Sequence, residues 1–339
     1  MNKLFKEERY RYSKIKENEI IPVFYAADIN YLPYLSVSLL SLKENRNQNY
    51  QYKIYILNAG MDLLKAEPIL KMAEKNFAIE FVNVSDKLNE VGSLQLRDYY
   101  TGATYYRIFI ANMFPEYDKA IYVDSDTVIL GDVSKLYQYN LKDNLVGAVT
   151  DKVVSSHPIF KKYTKEVLGI EPEDYFNAGV LLMNLKKFRT HGFYDQFKNL
   201  LLEYKFVVAQ DQDYLNVICK DKVLYLPYEW NTMPIGGKMN ERPSLIHFNL
   251  TLKPWHYAKI TYGEFFWEYV AKSEYASVIR DEYHNHSLEA KEKDVKAEAN
   301  LIALAEAEIN REDNYIKTHK VHNYHFFFKR NEYTLGVKR

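Results

Sequence analysis

KAIYVDSDTVILGD, residues 119–132, reads as an apolar strand with two carboxylates set in its middle. Ile121, Tyr122 and Val123 have the character of a buried strand, and desolvating a carboxylate beside them is costly. Asp124 and Asp126 therefore need compensation. One residue separates them, so on an extended backbone both side chains point the same way. A divalent cation with oxygen ligands satisfies such a pair. In open α/β sheets, ligands bind beyond the carboxyl ends of the strands, where this pair stands. A bare D-x-D triplet is a weak signal, so its surroundings decide the reading.

Upstream, IPVFYAA (21–27) is a compact apolar run leading into Asp28, the pattern of a buried parallel strand entering a loop. Leu32, Leu35, Leu39 and Leu42 then recur at helical spacing. YKIYILNAG (52–60) and FAIEFVNVS (77–85) read as the second and third strands, with a helix-like stretch over 61–76 between them. ATYYRIFIANMF (103–114) reads as the helix before the acidic strand. Downstream, NLVGAVTD (144–151) is a further strand and FNAGVLLMNLKKF (176–188) a strand running into a helix. QDQDYLNVIC (210–219) is helical, KVLYLPYEW (222–230) strand-like, and SLIHFNLTLKPWH (244–256) closes the globular part. Strands alternating with helices predict a doubly wound α/β fold. His247 ends an apolar strand about 120 residues after the acids, with Lys253, Pro254 and Trp255 just beyond. Two carboxylates and an imidazole with open positions favour Mn2+ over the harder Mg2+. A nearby lysine suits a diphosphate facing the same ion.

The chain has 339 residues, of which 47% are apolar and 27% charged, the balance of a globular protein. Its 45 basic and 45 acidic residues cancel, which argues against a body-wide nucleic-acid footprint. The single cysteine, Cys219, lies among apolar helical residues and reads as a small buried hydrophobe, with no disulfide signature. The first twenty residues form a polar leader without the apolar core of a signal peptide, and no apolar run is long enough to span a bilayer. A cytoplasmic protein is expected. In 287–311, Leu288, Val295, Ile302 and Ile309 recur every seven residues beside Ala299 and Ala305, the mark of an amphipathic helix docked on the domain or paired with a second copy. The tail after it mixes basic residues with Tyr324, Phe326, Phe327, Phe328 and Tyr333. That composition suits either peripheral contact with an anionic membrane or packing on its own domain.

FYAADINYLPYL, ATYYRIFI, KAIYVDSDTVIL, YFNAGVLLMNLKKF, QDQDYLN and HFNLTLKPWH occur in this order between Ile21 and His256. With that ordered set the chain resembles glycosyltransferase family 8, which includes bacterial lipopolysaccharide galactosyl- and glucosyltransferases and glycogenin. The resemblance implies a GT-A fold, a Rossmann-like mixed α/β sheet flanked by helices. It divides the chain into a leader (1–20), a catalytic domain (21–262) and a helical C-terminal extension (263–339). It implies that Ala26, Asp28, Asn30 and Tyr31 hold the uracil and ribose of a UDP-sugar. Asp124, Asp126 and His247 are expected to ligate Mn2+, or Mg2+ in its place. Ser125 joins the nucleotide-binding set, and Lys253 meets the diphosphate. Arg107 and Asp151, with Asn177 and Asp211, are implied to grip the donor sugar and phosphate region. Gln212 is implied to lie by the anomeric carbon, opposite the leaving group. Leu250 departs from the pattern, since many relatives carry glycine three residues after the histidine.

The activity so implied is transfer of galactose or glucose from a UDP-sugar to a saccharide or lipid-linked saccharide, with retained configuration. Gln212, an amide, is a poor nucleophile for double displacement, which favours attack from the leaving-group face. A nucleotide-sugar pyrophosphorylase would be expected to have a glycine-rich basic loop where this chain has AADINYLP. A silent nucleotide-sugar binder that recruits partners fits less well, because the acids, the histidine and Lys253 are all intact. A self-glucosylating protein is the third reading, with 31 tyrosines as available acceptors.

Overall fold

Apolar alternation builds the centre of the sheet first: β1 (Ile20–Ala26) is buried at every position after its first. The computed structural model describes residues 11–16, 19–92, 102–235 and 242–319. The leader before residue 11 and the basic aromatic tail from residue 320 lie outside the described residues.

After β1 the chain makes a short 3-10 turn and enters α1 (Leu32–Asn45), started by Pro33 in its first turn. Leu35, Leu39 and Leu42 of α1 pack on one face of the sheet, against Val23, Tyr25, Ile54 and Ile121. Next come β2 (Gln51–Asn58) and β3 (Phe77–Asn83), then β4 (Ala120–Val123) and β5 (Thr127–Ile129). Strands β6 (Val146–Thr150), β7 (Phe176–Met183), β8 (Val223–Tyr225) and β9 (Leu245–His247) complete the set. The main sheet runs β3-β2-β1-β4-β7-β6-β8, and β5 pairs with β9 in a separate ribbon. β1 is parallel to both β2 and β4, while β7 is antiparallel to β4 and β6. From β1 the chain winds outward to β3 and then returns to the other side of β1 as β4. The carboxyl ends of β1 and β4 therefore form a topological switch point.

Helices α2 (Lys152–Ser156), α3 (Pro158–Tyr163), α4 (Phe193–Glu203) and α5 (Asp211–Ile218) follow their strands. Phe24, Tyr55 and Tyr122 on the second face of the sheet join residues of α3, α4 and α5 in the larger core, where Cys219 is buried as expected. The C-terminal helices are α6 (Gly263–Val270), α7 (Ala276–Asn285) and α8 (Leu288–Asn310). Phe266, Tyr269 and Val270 of α6 share a third core with Val37 of α1 and Ile246 of β9.

Three sequence expectations are corrected. The acidic strand is two strands: β4 stops at Val123, and the acids lie on the link to β5. The cause lies in distant segments, since Asp124 N–H donates to Gly179 O (2.7 Å) and Phe248 N–H to Asp126 O (2.9 Å), and the chain leaves the sheet between these two contacts. The segment before β4 is a 3-10 helix over Gly102–Phe109 followed by one α-turn, Ile110–Met113, rather than a continuous α-helix. In α8 the seven-residue seam is covered only toward its end, where Ile302 and Ile309 pack with Ala305 on the larger core. Leu288 and Val295 are exposed, whereas Asp294, Ala297, Ala305, Glu308 and Ile309 are buried. Those spacings follow 3.6 residues per turn, the period of a straight helix lying on a globular surface. The two acids tolerate burial because Tyr257 donates to Asp294 and Tyr204 to Glu308.

Candidate active site

The link between β4 and β5 brings the sequence-distant acids and histidine together. β5 pairs antiparallel with β9 so that Thr127 stands opposite His247, which sets Asp126 beside the imidazole. His247 Nε2 lies 3.3 Å from Asp126 Oδ1 and 3.7 Å from Asp124 Oδ2. The candidate ligand atoms of the three residues all fall within 4.8 Å of one another. Lys253 Nζ contacts Asp126 Oδ2 and donates to Phe248 O (2.6 Å). Against the burial that would raise it, Lys253 and His247 hold the Asp126 carboxyl far below the usual range, so it is ionised.

The orientation of the His247 ring is set by Asn231, a residue the sequence reading did not single out. Asn231 Nδ2 donates to Asn177 Oδ1 (2.9 Å), which turns its own Oδ1 toward His247 Nδ1 at 3.1 Å. Nδ1 then carries the hydrogen, which leaves Nε2, on the side of the two carboxylates, as the nitrogen open to a metal. Two carboxylates and one imidazole nitrogen so directed fit a divalent cation. Asn231→Ala is expected to weaken Mn2+ binding by about 10–100-fold, measured by calorimetric titration of the metal-free protein. Unchanged affinity would show that the ring needs no such partner.

Gly179 on β7 was likewise missed. A Cβ there would come within 2.2 Å of His247 Cε1 and 2.6 Å of Asp124 Oδ2, so the cluster closes only over a glycine. The string NAGV contained the residue, but nothing in the sequence alone showed which atoms approach it.

The remaining predicted residues line one cavity with this cluster. Ala26, Asp28, Tyr31, Arg107, Ser125, Asp151, Asn177, Asp211 and Gln212 all contribute, as do Leu250 and Lys253. Asn30 does not: it is exposed in the 3-10 turn, whose backbone Asp28 caps through Asn30 N–H (2.8 Å) and Tyr31 N–H (3.2 Å). Ser125 Oγ donates to Ala26 O (2.9 Å), joining the ends of β4 and β1 at the switch point. Leu250 holds the left-handed backbone (φ 55) that glycine adopts at less cost, so the loop keeps the conformation without the residue.

Arg107 is buried between two acids, with Nη1 3.3 Å from Asp124 Oδ1 and Nε 2.9 Å from Asp211 Oδ2. Asp151 caps α2 through Val153 N–H (2.9 Å) and Val154 N–H (3.1 Å), while its second oxygen accepts from Asn177 (3.0 Å) and Gln212 (3.1 Å). Gln212 Oε1 accepts from Ala178 N–H (2.9 Å). Behind them, buried Asp213 accepts from Tyr163 (2.9 Å), Tyr175 (2.7 Å) and Ala209 N–H (2.9 Å), which anchors the first turn of α5.

Burial pushes the Asp211 carboxyl up to about 7, and Arg107 offsets only part of that rise. The unfolded chain releases this proton near 3.8 and the folded one near 7, so between those values the native state binds more protons. Stability of the metal-free protein is then expected to fall as pH rises through that window and to level off above it. Urea midpoints at about pH 5 and about pH 8 measure the slope, which Asp211→Asn should flatten.

Known proteins resemble this chain in both sequence and architecture. The galactosyltransferase LgtC, solved in complex with donor and acceptor sugar analogs, superposes with a TM-score of 0.65 at 26% identity, covering 75% of this chain and 96% of that one. The bifunctional glycosyltransferase WbbM gives a TM-score of 0.69 at 24% identity, over 80% of this chain and about half (52%) of that one. The lipopolysaccharide 1,2-glucosyltransferase of Escherichia coli K12 is 28% identical over 268 residues, 73% of this chain and 76% of the relative. General stress protein A of Bacillus subtilis 168 is 26% identical over 292 residues, 78% and 98% respectively. The fold is of the GT-A type. The profile described as "Glycosyl transferase family 8" matches residues 22–259, most of the chain, and the protein belongs to that family of glycosyltransferases.

Proposed function

We propose that this glycosyltransferase moves galactose or glucose from UDP-hexose to a saccharide hydroxyl, with retained configuration and with Mn2+ held by Asp124, Asp126 and His247. The observation that carries the reading is the convergence of two carboxylates with an imidazole nitrogen whose tautomer is set from behind. A divalent cation bound there supplies Lewis-acid neutralisation of the leaving diphosphate. The residues of the chain do the rest. Lys253, anchored on Phe248 O, faces the same leaving group. Ala26, Asp28 and Tyr31, at the end of β1, form the nucleoside end of the cavity. Asn30 is left with at most a backbone role.

Gln212 is tied at both ends of its amide, its oxygen to Ala178 N–H and its nitrogen to Asp151 and Tyr175 (3.3 Å). Such an amide orients a sugar and makes a poor nucleophile. Asp211, the adjacent acid, is engaged by Arg107. These contacts support attack on the leaving-group face: the bond from the anomeric carbon to phosphate breaks as the bond to the acceptor oxygen forms. The acceptor proton passes to the departing phosphate oxygen. The galactosyl- and glucosyltransferase names of the relatives support a hexose donor.

UDP release from a panel of UDP-sugars, with and without Mn2+, tests the reading. Metal-dependent release that prefers one hexose supports it. Binding of UDP without release from any sugar, even with saccharide acceptors present, would instead favour the nucleotide-sugar binder. Incorporation of hexose into the purified chain, seen by mass spectrometry, would favour self-glycosylation. No helix among the described residues is long and apolar enough to cross a membrane. For a lipid-linked acceptor, we propose the basic aromatic tail as the segment that meets the membrane surface.

A further inference from the structure

A second group of metal-binding character lies where the C-terminal helix meets the loop that carries Lys253. His256, at the end of that loop, stacks face to face on His286, with ring centroids 3.9 Å apart and planes 5° from parallel. Asp294, in the second turn of α8, lies 3.4 Å from His286 Nε2 and accepts from Tyr257 (2.7 Å). The ligand atoms that His256, His286 and Asp294 offer lie within 4.8 Å of one another. None of the three lines the cavity described above.

Two buried ring nitrogens in this group have no hydrogen-bond partner: His256 Nδ1 and His286 Nε2. The His286 side chain is only 5% exposed, so water does not readily make good the loss. The other nitrogen of His256 is accounted for, with Nε2 3.4 Å from Glu282 Oε1. A carboxylate on the far nitrogen is the arrangement that fixes a metal-binding imidazole and leaves its near nitrogen for the ion. Burial first, and His286 second, push His256 down to about 4, which keeps the ring in its neutral, ligating form.

We propose that His256, His286 and Asp294 form a second metal site, selective for Zn2+ or a similar borderline divalent ion, that clasps α8 onto the Lys253 loop. Two imidazoles and one carboxylate are a characteristic zinc donor set, and thioether or thiolate ligands are not needed. Rings lying parallel aim their nitrogens along parallel lines, so one ring tilts out of the stack when the ion binds. His286 is the ring that moves: its Nε2 faces Asp294, a fellow ligand, whereas His256 is held from behind by Glu282. The clasp has a consequence for the cavity. Beyond Asp294, Glu298 accepts from Thr251 of the same loop, and Leu301, two turns along α8, lines the cavity wall with Val153, Val154 and Phe160. Occupation of the clasp thus fixes the apolar wall that α8 contributes.

The test uses the full-length chain carrying Asp124→Asn and Asp126→Asn, which removes the first metal site, stripped of metal and titrated with Zn2+ by calorimetry and with Co2+ by visible absorption. One saturable equivalent is expected. His286→Ala in that background should weaken it by more than ~100-fold, and Glu282→Gln, which removes only an orienting partner, by about tenfold. Circular dichroism and melting curves establish that each variant is folded. Should the double asparagine chain fail to fold, the same titration compares the wild type, expected to bind two equivalents, with His286→Gln, expected to bind one. No saturable equivalent outside the first site, or an equivalent unchanged by loss of His286, overturns the clasp. The outcome is separable from the transferase reading, which stands or falls on metal-dependent UDP release by the wild type.

Discussion

Asp126→Ala is expected to lower turnover of the preferred UDP-hexose by about 10³–10⁴-fold, the loss of several kcal/mol of charge stabilisation at the leaving group. Asp126 is where three functions meet. In the proposed site it offers an oxygen to the ion, it faces His247 Nε2, and it balances Lys253. Removing it takes away an oxygen from the proposed metal site and leaves a largely buried ammonium with the Phe248 carbonyl and the face of Trp255 but no carboxylate against it. A charge left so costs about 3–5 kcal/mol. The metal-free variant should therefore melt earlier than the wild type. Asp126→Asn separates the two effects, since it keeps volume and one acceptor oxygen while losing the ionic ligand. Steady-state kinetics across a range of Mn2+ concentrations, read beside melting curves, measure both. Activity within about tenfold of wild type at any metal concentration would remove Asp126 from the metal site.

Much of this was legible because the residues concerned obey local rules. The apolar runs that became β1, β2 and β7 are largely buried strands, while β3 is a half-exposed edge strand, and strand-helix alternation is enough to find all four. The two acids stood out because carboxylates beside a buried strand need an explanation. What remained hidden depends on contacts between distant segments. Asn231 and His247 are sixteen residues apart, and it is the bridge of Thr232 to Ile246, with Thr232 N–H donating to Leu245 O and His247 N–H to Thr232 O, that makes one the orienter of the other. The break after Val123 was invisible for the same reason, since the hydrogen bonds that turn the chain come from Gly179 and Phe248. In α8 the seven-residue spacing of aliphatics outweighed two buried acids in the reading. Burial of Asp294 and Glu308 follows from tyrosines on other elements, which no local pattern reveals. Asn30 was placed in the site by the family resemblance, but it is exposed in the 3-10 turn and does not line the cavity.

Gly179→Ala is the smallest change expected to disable the site, and it does so without touching a ligand. Gly179 is not among the positive-φ residues, so an alanine costs nothing in φ there; the constraint is space. The added methyl would stand 2.2 Å from His247 Cε1, 2.8 Å from its Nδ1 and 2.6 Å from Asp124 Oδ2. None of these is the loose end of a flexible chain, because His247 is 3% exposed and bound to Asn231. The ring and the carboxylate must separate, which breaks the convergence that an ion requires. Mn2+ affinity is expected to fall by more than ~100-fold, more than the loss of one orienting partner costs. Stability should drop by about 1–3 kcal/mol from overpacking. Gly147→Ala supplies the comparison: on neighbouring β6 its Cβ would meet Leu141 Cδ2 at 3.1 Å and Leu182 and Leu226 at 3.4 Å, all side-chain carbons away from the cluster. It should lower the melting temperature while leaving Mn2+ affinity intact. If both alanines weaken metal binding alike, the effect is general strain in the sheet. If Gly179→Ala alone does so, the backbone of β7 is the floor on which the metal site rests.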